Sequence, residues 1–289
     1  FFFEESGLFL IIHHIFDYVL IQMNGVKNMV RFCPLFSGSG GNCTYISSGD
    51  FSILIDAGVS AKAICTALRD IDADPDKISA VFVTHEHSDH IKGLRVFASK
   101  HDIPVYANEA TMNELLKDCK FASDVDHRCI DGTVDICGCT VSAFDTPHDS
   151  AGSCGYIIKT ADNRRITTCT DIGCVTDVIR NAMKGSDLVM IESNHETNML
   201  MNGSYPYPLK MRIASDTGHL SNRCCAEELP SLIQNGTTRI VLGHLSKENN
   251  TPLLAETTAV STLKMHGYER DLDYILSVAM PGGNRTVVL

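Results

Sequence analysis

Tryptophan is absent from the 289-residue chain, and so is any apolar stretch long enough to cross a bilayer. The most apolar segment, 8–21, is interrupted by His13, His14 and Asp17 and has neither a basic leader before it nor a small-residue cleavage site after it. No membrane partner is expected. Positive charge is scarce as well: 24 Lys and Arg face 35 Asp and Glu, a formal net charge of −11. Phosphate binding is driven by cations that release counterions, so nucleic acid cannot be held by the surface as a whole and any contact must be local. Twelve cysteines are present but no CxxC pair. Cys137-Gly-Cys139 and Cys224-Cys225 have the wrong spacing for a zinc knuckle. A disulfide framework belongs to short secreted chains, so these thiols read as reduced, in a cytoplasm. The glycine-rich turn Ser37-Gly-Ser-Gly-Gly-Asn42 lacks the Lys-Ser/Thr of a P-loop and reads first as a structural turn.

What is present is a composition of 44% hydrophobic and 20% charged residues, ordinary for a protein with a sizeable core. The first 28 residues differ from the rest. We expect 1–28 to be a non-native upstream extension, with a peripheral amphipathic helix as the alternative, and the domain to run over 29–289.

Residues 80–90, AVFVTHEHSDH, organise the remainder. Four apolar or β-branched residues form a short buried-strand run that stops at Thr84, and the next six carry His85, His87, Asp89 and His90. A strand that turns into a loop lets such side chains converge beyond its carboxyl end. Imidazole and carboxylate are ligands shared by Zn²⁺, Mn²⁺ and Fe²⁺, so the cluster points to a metal site with room for two ions.

Strands are read at 31–35, 44–48, 51–55, 104–106, 134–136, 141–144, 156–160, 165–169, 188–191 and 239–242. Helices are read at 61–70 with Ser60 as N-cap, at 94–100 and 109–117, from near Ser221, and at 253–264, while 205–208 reads as a Pro- and Tyr-rich loop. Asp56, directly after a strand, is placed to accept hydrogen bonds from the metal loop and orient it. His or Asp recurs after strand ends at 85–90, 148, 171, 195 and 244. Any one of these histidines reads best as an ordinary loop residue; together they suggest a preorganised site at one edge of a sheet.

Thr84-His-Glu-His-Ser-Asp-His90 followed by Gly93 resembles the signature of the metallo-β-lactamase superfamily. Asp56, His148, Asp171 and His244 fall where its other motifs are found. The segments SGSGGN, TPHDS, TDIG, ESNHE, GHLSN and LGHLSKENNTP are similar to the YycJ/WalJ branch, bacterial cytoplasmic proteins whose characterised members are DNA exonucleases. The resemblance implies an α/β fold, a four-layer αβ/βα sandwich of two mixed sheets flanked by helices. It implies two divalent ions, Zn²⁺ or Mn²⁺, one held by His85, His87 and His148 and the other by Asp89, His90 and His244, with Asp171 between them. Such a pair activates water for attack on phosphorus, and Asp89 is positioned to hold that water too. His219 and His195, not required as ligands, are free to contact phosphate or protonate the leaving oxygen, and His219 is favoured as the acid. Lys210, Arg212 and Arg223 are candidates for binding backbone phosphates, or else a solvated charged face. The implied activity is that of a metal-dependent phosphodiesterase, a DNA exonuclease. A lactonase- or thioesterase-type hydrolase and a non-catalytic metal-binding regulatory partner are the alternatives. DNA is the expected partner, and a homo-oligomer is left open.

Overall fold

Alternation of apolar side chains on two buried faces explains how the strands stack. In the computed structural model, which describes residues 29–283 and 285–289, the strands are β1 (Arg31–Phe36), β2 (Cys43–Ser48), β3 (Phe51–Ile55), β4 (Ala80–Phe82), β5 (Val105–Ala107), β6 (His127–Cys129), β7 (Thr133–Ile136), β8 (Cys139–Asp145), β9 (Cys154–Lys159), β10 (Arg165–Cys169), β11 (Leu188–Glu192), β12 (Arg239–Gly243), β13 (Ile275–Val278) and β14 (Val287–Val288). The expectation for residues 1–28 lies outside the described residues. Two seven-stranded sheets result, ordered β14-β1-β2-β3-β4-β5-β6 and β13-β12-β11-β10-β9-β8-β7. Each begins as an antiparallel meander and ends as parallel pairs, from β3 to β6 in one and from β10 to β13 in the other.

In β4, Ala80 and Phe82 face a core shared by both sheets, together with Ile46, Ile53, Tyr156, Ile166 and Val241. Val81 and Val83, one register step away, face an outer core beneath the helices Ala61–Asp70, Leu94–His101 and Glu109–Leu115. In β11, Leu188 and Met190 join the shared core, while Val189 and Ile191 pack under the helices Asp177–Met183, Asn222–Gln234 and Pro252–Met265. Three apolar seams therefore separate four layers, helix, sheet, sheet and helix, the expected αβ/βα sandwich.

The two sheets are pinned beneath the metal loop. Phe82 stacks on Tyr106 at 5.0 Å between centroids and meets Tyr156 edge-on at 5.5 Å. The Tyr156 hydroxyl donates to Val83 O at 2.6 Å, and Cys154 N–H donates to Thr84 O at 3.1 Å. These bonds cross from the second sheet to the end of β4.

The helix Ala61–Asp70 starts where expected, with Ser60 Oγ accepting from Ala63 N–H. The segment read as a Pro- and Tyr-rich loop instead enters the helix Tyr207–Ile213. Pro206 and Pro208 sit at its cap and first turn, where a missing N–H costs nothing. Strands β6 and β14 carry no alternation for a sequence to display, being short sheet edges with exposed residues.

Candidate metal centre

The carboxyl end of β4 enters the short helix Ser88–Ile91, which presents Asp89 and His90, while His85 and His87 lie on the loop before it. Backbone bonds hold this loop against the end of β3: Asn42 N–H donates to Asp89 O and Ala57 N–H to His90 O, each at 2.8 Å. A Cβ on Gly58 would lie 1.6 Å from Asp89 O, so the close approach requires glycine there. Asp56, at φ 63, turns back from β3 and accepts from Thr84 N–H at 2.8 Å, Thr84 Oγ1 at 2.9 Å and His90 Nδ1 at 2.7 Å. A carboxylate only accepts, so His90 carries its proton on Nδ1 and turns Nε2 toward Asp171, with the Asn42 amide nitrogen 3.0 Å from it.

Other histidines follow the same rule. His148, on the loop between β8 and β9, donates Nδ1–H to Gly218 O at 3.1 Å. His244, after β12 and at φ 53, donates Nδ1–H to Glu192 Oε1 at 2.8 Å. His219 donates Nδ1–H to that same oxygen at 2.8 Å, while Glu192 Oε2 accepts the backbone N–H groups of Ile172 at 2.8 Å and Leu220 at 3.2 Å. One buried carboxylate thus orients two histidines. Asp171, after β10 at φ 58, completes the centre: Oδ2 is 3.4 Å from His90 Nε2, and Oδ1 is 3.3 Å from His244 Nδ1 and 3.9 Å from His148 Nε2. Asp56, Asp171 and His244 all hold left-handed backbone within two residues of a strand end, a conformation that costs energy in non-glycine residues and gathers at functional sites.

Ligand-sized groups emerge from this geometry. Donor atoms of His85, His87 and His148 lie within 4.8 Å of one another, as do those of Asp89, His90 and His244, and those of His85, His90 and Asp171. A further such group joins Asp171, Glu192, His219 and His244. Among the described residues, His85 Nε2, His244 Nε2 and Asp171 Oδ2 are buried without hydrogen-bond partners. An unsatisfied buried polar atom costs about 1–3 kcal/mol. Divalent cations held among these donor groups would satisfy all three atoms, so the donor set fits metal.

Electrostatics agree. Burial, reinforced by the surrounding imidazoles, pushes His85 far below the usual histidine range, leaving it neutral as a ligand must be. For His90 burial acts in the same direction, but Asp171 and Asp56 outweigh it and raise the ring to about 9. Burial likewise opposes ionisation of Glu192, yet His219 and His244 hold its carboxyl well below the carboxylate range. The carboxylates make a field that favours cations, whether protons or metal.

The cleft above the centre encloses about 250 Å³, bordered by His87, Asp89, His148, Asp171, His219 and His244, with Arg212 on its rim. Arg212 Nε is hydrogen-bonded to Asp149. The other two basic candidates do not line it. Lys210 Nζ donates to the carbonyls of Met201 and Gly203, at 2.9 and 2.7 Å, and closes a loop. Arg223 points outward from the helix Asn222–Gln234 and pairs with Glu227 at 2.9 Å. His195 also stays outside the cleft lining, buried where desolvation lowers it to about 4. Glu192 was missed as a site residue by sequence reasoning. Its only signal is its place at the end of an apolar strand run, before Ser-Asn-His195.

Two facing mixed sheets with imidazoles and carboxylates gathered at their strand ends define a metal-binding α/β sandwich. Residues 52–245 match the family model described as beta-lactamase superfamily domain. The exodeoxyribonuclease YycJ of Bacillus anthracis is 37% identical over 246 residues, which cover 83% of this chain and 91% of that protein. The exodeoxyribonuclease WalJ of Streptococcus pneumoniae is 38% identical over 238 residues, covering 81% of this chain and 88% of its own. In fold, the metallo-beta-lactamase fold protein YhfI of Bacillus subtilis superposes with a TM-score of 0.67 at 16% identity, over 90% of this chain and 100% of that one. The chain belongs to the metallo-β-lactamase superfamily, and within it to the YycJ/WalJ-like branch.

Proposed function

We propose that the protein is a metal-dependent phosphodiesterase that degrades DNA as an exonuclease, with two divalent ions in the cleft. The observation that carries the metal reading is the trio of partnerless buried atoms, His85 Nε2, His244 Nε2 and Asp171 Oδ2, where two triads of donors meet. The DNA reading is supported by relatives named exodeoxyribonucleases that match most of the chain. His85, His87 and His148 would hold one ion, Asp89, His90 and His244 the other, and Asp171 would serve both. Charge supports that number. Asp56, Asp89, Asp171 and Glu192 bring four negative charges and, among the described residues, pair with histidines rather than with Lys or Arg. Two divalent ions balance them. Imidazole donors suit Zn²⁺, and the carboxylates make Mn²⁺ equally suitable.

Bound divalent ions supply an activated water and neutralise charge on the phosphate. The chain's own residues do the rest. His219 is fixed through Nδ1 by Glu192; burial opposes its charged form but the Glu192 carboxylate outweighs it and raises the ring, so the imidazolium carries a second proton on Nε2, which it delivers to the leaving oxygen. Arg212 on the rim attracts the DNA backbone, local positive charge on an acidic protein. All twelve cysteines are free thiols, in keeping with the reducing cytoplasm proposed as its location. Among the described residues no helix is long and apolar enough to cross a membrane.

The test is protein loaded with Mn²⁺ or Zn²⁺, metal content verified, on end-labelled single- and double-stranded DNA beside RNA and a chromogenic phosphodiester. Stepwise shortening of DNA from an end is expected. Turnover of lactones or thioesters with intact DNA would overturn the proposal.

A further inference from the structure

Beside the metal cleft lies a second, larger groove of about 610 Å³, within the range of small-ligand pockets, roughly 300–1,000 Å³. Ser39 and Ser246 border both, so a ligand held over Asp89 and Asp171 extends directly into it. Its walls differ sharply from those of the cleft. Phe36, Val59, Leu245, Met280 and Pro281 make them apolar, and the glycine-rich turn 37–41 forms one side. Among the described residues no carboxylate lines it, and its one charged residue is the exposed Lys247. The groove is also tied mechanically to the centre, because Ser37 Oγ accepts the backbone N–H of the candidate ligand His244 at 2.8 Å.

We propose that this groove receives the nucleobase and sugar of the nucleotide adjoining the scissile phosphate, with Lys247 taking the next phosphate along the strand. The proposal rests on the phosphodiesterase reading of the adjoining cleft. Three features select this occupant: an apolar surface that includes an aromatic ring, continuity with the place where the phosphate is held, and a lone cation on an otherwise uncharged lining. Apolar walls recognise a base by stacking and burial, which tolerates any sequence, as an exonuclease requires. The turn 37–41, which reads as structural from sequence, thereby becomes the wall that lets a flat group approach the backbone. Gly40 makes it testable. Among the described residues a Cβ built there meets no atom within 4 Å, and its φ lies outside the left-handed range, so a larger side chain can be introduced without a clash at its base.

The experiment compares the 3′ and 5′ p-nitrophenyl phosphodiesters of thymidine with methyl and hexyl p-nitrophenyl phosphate, using metal-loaded protein. The better thymidine ester should exceed the methyl ester in kcat/KM by roughly 5–150-fold, the range that stacking of one base supplies. Gly40→Phe, which fills the groove, and Phe36→Leu, which removes the ring, should bring that ratio toward one. Lys247→Ala should weaken a dinucleotide more than a mononucleotide ester. A wild-type ratio near one would overturn the proposal, as would a ratio unmoved by Gly40→Phe or an equal gain for the hexyl ester, which would make this a groove for aliphatic tails. Binding of a phosphorothioate dinucleotide carrying 2-aminopurine gives a readout independent of turnover. Its fluorescence should be quenched by the wild-type protein and not by Gly40→Phe. Quenching without cleavage of any phosphodiester would keep the groove and refute the catalytic reading, whereas cleavage without quenching would do the opposite. Melting curves for each variant separate a filled groove from a misfolded chain.

Discussion

The two sheets repeat one design and use it differently. In the first, β3 leads to Asp56 and β4 to the loop carrying His85, His87, Asp89 and His90. In the second, β10 leads to Asp171, β11 ends in Glu192, and β12 leads to His244. Asp56 and Asp171 share the left-handed turn after the strand, yet Asp56 stands behind a histidine and Asp171 faces the donors of both triads. The first sheet thus supplies a compact block of donors from one contiguous loop. The second assembles its part from four distant positions, 148, 171, 219 and 244, held together by Glu192 and by the backbone carbonyl of Gly218.

Substitutions can break this comparison. The largest effect is expected for Asp171→Ala, the carboxylate that serves both triads. Elemental analysis should find less than two ions per chain, and activity should fall by more than about 100-fold, the upper range for loss of a mere supporting partner. His195→Ala, which removes a side chain outside the cleft, should leave occupancy near the wild-type value. Equal occupancy in the two variants would remove Asp171 from its bridging role.

His219→Ala comes next. As a lost proton donor it should lower kcat on DNA by about 10²–10⁴-fold with both metals retained. Nitrophenolate departs without a proton, so a nitrophenyl ester should lose far less. If both substrates suffer alike, and through KM, His219 binds phosphate instead.

The supporting carboxylates sharpen the contrast between the sheets. Glu192→Gln and Asp56→Asn should each cost roughly 10–100-fold in metal affinity or activity. Asp56 holds His90 and the loop residue Thr84 but does not touch His219, so Asp56→Asn should be rescued by excess metal. Glu192 orients both His244 and His219, so Glu192→Gln should keep a depressed kcat on DNA even at saturating metal. Full rescue of Glu192→Gln would show that its contact with His219 has no part in turnover.

The smallest effect concerns the rim. Arg212→Ala should weaken DNA binding and reduce the slope of log K against log salt by about 0.7–0.9, the loss of one phosphate contact. Arg223→Ala should leave that slope unchanged, because its guanidinium is turned toward Glu227 and away from the cleft.

Local chemistry by itself determined the metal loop. Six residues dense in His and Asp, ending a short apolar strand, announce their purpose because ligands to one site sit within one turn of chain. The four-layer class was implied only by the resemblance to the metallo-β-lactamase superfamily, while the residues alone marked the helix start at Ser60 through its cap. Tertiary structure decided what no window of sequence contains. Glu192 looks like the last residue of a buried strand, and becomes a site residue only because β11 and β12 run parallel and the turn before the helix Asn222–Gln234 folds over them. Lys210, Arg212 and Arg223 are indistinguishable as charges in a sequence. Their directions differ because one is bound by backbone carbonyls, one by Asp149 on the cleft rim, and one by a neighbour on its own helix. Spacing along the chain carries local geometry, whereas the direction of a side chain across a cleft is set by packing between elements that are far apart in sequence.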